Sequence, residues 1–150
     1  MAELTRQDVI KLVAAAPKPI CLRGVDLSGL DLSYLDLSHV DFSYANLNAV
    51  NLSHTNLPHA TFFSANLTEA NLSEANLRYA DLISANLSRA NLNQADLEQA
   101  AFFDAILSGA SLVQVRLEAA LLDGVHTDDA TVWPEGFNKN SQDLFQKAHK

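Results

Sequence analysis

SANLTEANLSEANLRYADL, residues 64–82, carries a leucine at every fifth position: Leu67, Leu72, Leu77 and Leu82. Each follows an Asn or Asp, and Ala stands two places before it. On an α-helix a step of five turns a side chain through about 140°, which scatters the leucines around the axis. On a strand an odd step sends alternate leucines to opposite faces. Neither element buries them together. A chain that turns a corner after each five-residue unit does, because every unit then points the same position inward.

The register runs unbroken from Leu22 to Leu122, and all 21 positions five apart hold Leu or Phe. The residue two before is Ala in 13 of the 21. Each unit thus has one large and one small inward side chain, which fits a core too narrow for two large ones. Asp or Asn precedes the large residue in 14 of the 21, and such side chains bond backbone groups at turns. Gly24, Gly29, Gly109 and Gly124 all fall two places after the large residue, where a corner calls for positive φ. Pro58 sits one place earlier, a turn position that suits its fixed φ.

This A(D/N)LXX pattern resembles the pentapeptide repeat family over about residues 20 to 125. The resemblance implies an all-β solenoid, the right-handed quadrilateral β-helix, with four units per coil. At ~4.8 Å per coil, about five coils make a rod about 25 Å long. Positions 20 apart then stack on one side. Phe42, Phe62 and Phe102 share a core column with Leu22, Leu82 and Leu122, and the FF pairs at 62–63 and 102–103 land on the same side.

A solenoid leaves an apolar cross-section at each end, so caps are expected. Residues 1–19 read as a helical cap: Thr5 as N-cap, Asp8 at the third helical position, and an end before Pro17. Leu4, Val9, Ile10, Leu12 and Val13 form its apolar face, set over Ile20, Leu22 and Leu30. The repeat occupies residues 20–126, and 127–150 form a C-terminal cap of the same single domain. There Trp133 and Phe137 are the plug, and Ser141 caps a short helix bearing Leu144 and Phe145, with Lys147 and Lys150 near its end.

The chain's formal charge is −8. Nearly all of it lies on the rod, where twelve acids face four arginines between residues 20 and 126. That sign argues against nucleic acid and anionic membrane as direct partners. The lone Cys21 excludes an internal disulfide and reads as a semi-buried corner residue. VIKLVAAAP is too short for a signal or spanning segment and carries Lys11, so a cytoplasmic location is expected.

Phe63, Ile83 and Phe103 follow the core residue and therefore point outward, stacked in one column between Ser43 and Asp123. Beside them Thr61 and Ala101 replace the polar corner residue. An exposed apolar ladder on a polar rod marks a partner surface, in the simplest case a homodimer contact, unless a terminal segment covers it. His39 and His59 share a column with Tyr79 and Gln99, while His54 aligns with Tyr34 and Glu74. Three nearby histidines raise the possibility of metal, but no Cys or converging carboxylate completes a ligand set, so no metal and no cofactor are expected. Catalytic motifs are missing as well: there is no phosphate loop and no nucleophile elbow, and Glu69 and Glu74 lie on a convex surface with no cleft. The expectation is a non-catalytic protein-binding or scaffold module. The resemblance implies an alternative, since some members are dimeric acidic rods that imitate duplex DNA, bind type II topoisomerases such as DNA gyrase and protect against quinolones. Much of the family, abundant in cyanobacteria, has no assigned activity.

Overall fold

The computed structural model describes residues 4–138. From Cys21 to Val132 the backbone pairs through single-residue parallel bridges. Residue n meets residue n + 20 throughout: Cys21 with Asp41, Asn46 with Asn66, Asn71 with Asn91, Ala101 with Leu121. Each coil therefore takes four pentads, and each side is too short for more than one bridging residue. The final bridge, Ser111 with Val132, spans one residue more, so an insertion follows His126.

Three backbone bonds per unit hold coil to coil: Leu72 N–H to the Asn91 carbonyl (2.7 Å), Asn71 N–H to the Val50 carbonyl (2.9 Å) and Glu74 N–H to the Asn93 carbonyl (2.9 Å). A fourth closes the corner, as in Ala75 N–H to the Leu72 carbonyl (3.1 Å). Positive φ occurs at the second residue after every core position, from Gly24 to Gly124. Left-handed backbone at the third turn residue alone is the type II arrangement. Most of these corners are not glycine: Tyr34, His39, Glu74 and Arg89 take φ of 62°, 61°, 57° and 58°. The cost is about 1 kcal/mol or more per residue. It is tolerated because, from Gly24 to Asp104, each corner's N–H is held by the next coil, as in Glu74 N–H to the Asn93 carbonyl (2.9 Å).

The column is solid. Every core Leu and Phe from Leu27 to Leu112 is no more than 1% exposed. Leu22, Phe42, Phe62, Leu82, Phe102 and Leu122 are all buried on one side, and the Phe42 and Phe62 rings stack at 5.2 Å.

The Asx residues do two jobs. Except at Asn56, where Pro58 has no N–H to give, each Oδ1 accepts the N–H two residues on, as Asn71 does from Ser73 (3.2 Å). At seven of the Asn residues Nδ2 also donates to the Asx one coil earlier, as in Asn51 to Asp31, Asn71 to Asn51, and Asn91 to Asn71. Asp26, Asp31 and Asp36 start these ladders, where only acceptance is needed, and Asn takes over above them. The Ser38 hydroxyl, helped by the Ser38 amide, Asn56 and Lys18 against the effect of burial, holds the Asp36 carboxyl down at about 2. We therefore expect Asn71→Asp to destabilise the rod by about 1 kcal/mol at neutral pH, because a carboxylate would face the Asn51 oxygen with no proton to donate. Urea melts of the variant and the native chain check this; an unchanged midpoint would refute the ladder account.

Helix α1, Arg6–Ala15, covers the first coil. Thr5 and Asp8 form a reciprocal capping box, and Arg6 donates to the Ser33 carbonyl (2.9 Å). Val9 is fully buried, with Leu4, Val13 and Ala16 packed against the core beside it. Leu12, expected in the cap, is instead 40% exposed. Val9, Val13 and Ala16 already occupy the inward stripe at i, i+4 and i+7, and Leu12 lies about 100° from Val13. Cys21, expected to be semi-buried, is exposed, since no coil precedes it on its side. Val25, Leu30 and Leu35 pack against the core at this same end.

At the C-terminal end Trp133 stacks on Phe137 at 4.4 Å, and both pack on the core. Asp128 accepts the Gly109 N–H (2.8 Å), replacing a backbone partner lost to the insertion. Ser141, Leu144, Phe145, Lys147 and Lys150 lie outside the described residues.

Candidate binding surface

With the axis filled, the outer sides carry whatever chemistry the rod offers. The side bearing residues 20–24, 40–44, 60–64, 80–84, 100–104 and 120–124 differs from the other three. Phe63, Ile83 and Phe103 stack there as one column. They are half-buried rather than exposed, because each rung covers part of the next. Thr61, Ala101 and Leu121, also half-buried, line the adjacent column in place of Asx.

The lower end of this stripe is closed by the chain itself. Tyr44 sets its ring edge-on to Phe63 at 5.5 Å, and the Arg23 guanidinium lies 5.4 Å above the Tyr44 ring. Arg23 also pairs with Asp41 at 3.2 Å. The sequence reading missed this closure. The 20-residue register puts Arg23 and Tyr44 on the right side, but contact between neighbouring columns depends on where the side chains reach. Higher up, Asp81, Asp104 and Asp123 border the stripe, and none of the ion pairs among the described residues includes them.

The histidines form ladders, not a ligand cage. His39 stacks on His59 at 4.9 Å and His59 on Tyr79 at 4.8 Å, with planes within 4°. Gln99 Nε2 reaches the Tyr79 hydroxyl at 3.4 Å. At the neighbouring corner Tyr34 stacks on His54 at 4.7 Å, and His54 Nδ1 lies 3.4 Å from Glu74. Parallel rings point their nitrogens side by side rather than toward one ion. Among the described residues no group of three or more His, Cys, Asp or Glu could hold a metal.

Between those two corners lies an ionic side. Arg78 and Arg116 both contact Asp96 and Glu98. Glu98 above all holds the Arg78 guanidinium charged beyond its ordinary range. Arg89 likewise pairs with Glu69 at 2.8 Å. These charges satisfy one another. A hollow of about 500 Å³ lies against α1, lined by Leu4, Asp8, Lys11, Leu12, Ala15 and Ala16, outside the column. No helix among the described residues is long and apolar enough to cross a membrane.

The comparisons agree with this geometry. Residues 20–57, 56–94 and 80–118 match the family model described as pentapeptide repeats. No curated protein matches the chain. Among solved structures, a pentapeptide repeat protein (Rfr23) from the cyanobacterium Cyanothece 51142 is 30% identical over 83% of this chain and 99% of its own, with a TM-score of 0.51. A pentapeptide repeat protein of the Arabidopsis thaliana thylakoid lumen is 38% identical over 63% of this chain and 66% of its own (TM-score 0.42). QnrB1, a plasmid-mediated fluoroquinolone resistance protein, is 15% identical over 73% and 80% (TM-score 0.30). The pentad register, the 20-residue bridges and the family match together place this chain in the pentapeptide repeat family.

Proposed function

We propose that the protein is a non-catalytic, cytoplasmic protein-binding module that works from the outside of a right-handed coil. One observation carries the reading: the half-buried Phe63–Ile83–Phe103 column lies on the side where Thr61, Ala101 and Leu121 replace Asx. A sealed column leaves no interior for a substrate, while an apolar stripe on a polar rod is the usual mark of a docking surface. Nucleic acid and anionic membrane are disfavoured by the rod's charge.

A photo-crosslinking residue in place of Ile83 tests the reading in the producing cell. Adducts at Ile83 are expected, and Phe63→Asp should remove them while leaving the circular dichroism spectrum intact. An adduct of about twice the 16.3 kDa chain would identify a homodimer. If Ile83 and a control at Asn48, on the next side, gave the same result, the stripe would lose its role.

The acidity of the rod favours a second reading, mimicry of duplex DNA toward gyrase. Duplex DNA carries one charge per ~1.7 Å, roughly fourteen over a rod of this length. This rod carries twelve acids against four arginines, and the arginines pair within it. Its net density is about half that of DNA. We expect no inhibition of gyrase supercoiling at micromolar protein; inhibition would reverse the order of the two readings.

A further inference from the structure

Resting on the docking-module reading, we infer that the occupant of the Phe63–Ile83–Phe103 stripe is a single basic amphipathic helix of a partner protein, not a second copy of this chain. Three observations carry this inference: the stripe's dimensions, its border and its lower end.

The column Thr61–Asp81–Ala101–Leu121, charged at Asp81, and the apolar column 63/83/103 flank the buried core column and stand about 7 Å apart, two residues along an extended side. From Phe63 to the level of Asp123 they rise about 15 Å. That strip suits one helix, whose diameter with side chains is 10–12 Å, over about ten residues. Rungs repeat every ~4.8 Å, close to the ~5.4 Å helix pitch, so apolar residues at i, i+3, i+4 and i+7 drop between successive rungs. The strip covers roughly 200 Å², far below the ~800 Å² per partner of a stable dimer. A second rod would also bring its own acidic side to an acidic side.

The border gives the sign of the partner's charge. Asp81 flanks the stripe on one edge, Asp104 stands at the opposite corner, and Asp123 closes the column above Phe103. None of them has a cation partner among the described residues. At the lower end the chain shows what such a border accepts: Arg23 pairs with Asp41 and spreads its guanidinium over Tyr44, which packs on Phe63. A partner helix with Lys or Arg beside its apolar stripe repeats that arrangement higher up.

The test uses the full chain and three labelled fourteen-residue peptides followed by fluorescence anisotropy. One is a Leu/Lys helix with leucines at i, i+3, i+4 and i+7; one has the same composition scrambled to alternate; one replaces Lys by Glu. The Leu/Lys helix is expected to bind with a Kd of about 10–50 µM, the other two at least about tenfold more weakly. Phe63→Asp with Phe103→Asp should abolish binding, and Ile83→Ser serves as a milder variant should that pair fail to fold. Asp104→Asn with Asp123→Asn should weaken binding about threefold to tenfold, flatten its salt dependence and leave Tm unchanged. Equal binding of the scrambled peptide, or indifference to the Asp104 and Asp123 changes, overturns the inference. So does binding that appears only after Leu144→Asp with Phe145→Asp, because the chain's own tail would then be the occupant. Crosslinks at Ile83 without peptide binding would sink the helix and leave the docking module standing.

Discussion

Replacing Phe62 with alanine is expected to lower the free energy of unfolding by about 3–5 kcal/mol. The ring is fully buried, stacks on Phe42 at 5.2 Å, and sits under a coil held by the Phe62 N–H to Asp81 carbonyl bond (2.6 Å). Relaxation cannot close the hole. Every unit above and below is tied at hydrogen-bond distance, so the coils cannot settle inward, and the cost should fall toward the upper end for a large-to-small change. Phe62→Leu should cost far less, about 1 kcal/mol, because Leu22, Leu82 and Leu122 already occupy the same column. Urea denaturation followed by circular dichroism separates the two. Equal midpoints for Phe62→Ala and the native chain would mean that the column is not packed as described.

The second large effect comes from the opposite change. Ala90→Leu is expected to destabilise by about 3 kcal/mol, because three added carbons enter a site with no void to receive them. Ala90 is 1% exposed, its N–H donates to the Leu87 carbonyl (3.0 Å), and its own carbonyl accepts from Ser111 (3.0 Å). The small inward position is thus fixed from both sides. At the N-terminal end of the same column stands Leu30, partly buried and packed on the core at the end that α1 covers. There shrinkage is the costly change, and Leu30→Ala should lose about 1–2 kcal/mol. The column therefore narrows from Leu30 and Val50 at the end that α1 covers to alanine at positions 70, 90 and 110. Guanidinium melts of both variants test this. A neutral Ala90→Leu would show that the coils can part, contrary to the bonding seen between them.

These two expectations clarify why the outer stripe can be apolar without endangering the fold. Stability resides in the column and the ladders, so Phe63, Ile83 and Phe103 are free to face a partner at little structural cost. The Asx ladders on the remaining sides oppose apolar docking, since each Asn or Asp there already has its bonding filled by the next coil and its own turn.

The strict five-residue spacing of Leu and Phe from Leu22 to Leu122 determined the coil, because no helix or flat strand can bury that pattern. The same count assigned Phe62 and Phe63 to opposite faces of one side and put His39, His59 and Tyr79 in a single file. Thr5 and Asp8 were readable as a cap because their bonds are local. What the tertiary structure decided depends on atoms about 20 residues apart meeting in space. It turned Leu12 to solvent, since Val9, Val13 and Ala16 claim the inward stripe. It stacked Asn on Asp where the ladders begin at Asp26, Asp31 and Asp36, because Asn can both donate and accept. It also drew Tyr44 and Arg23 over the foot of the stripe, while Asp81, Asp104 and Asp123 have no ion-pair partner among the described residues. Spacing fixes which way a residue points, but only the packed neighbours determine how much of it remains to be touched.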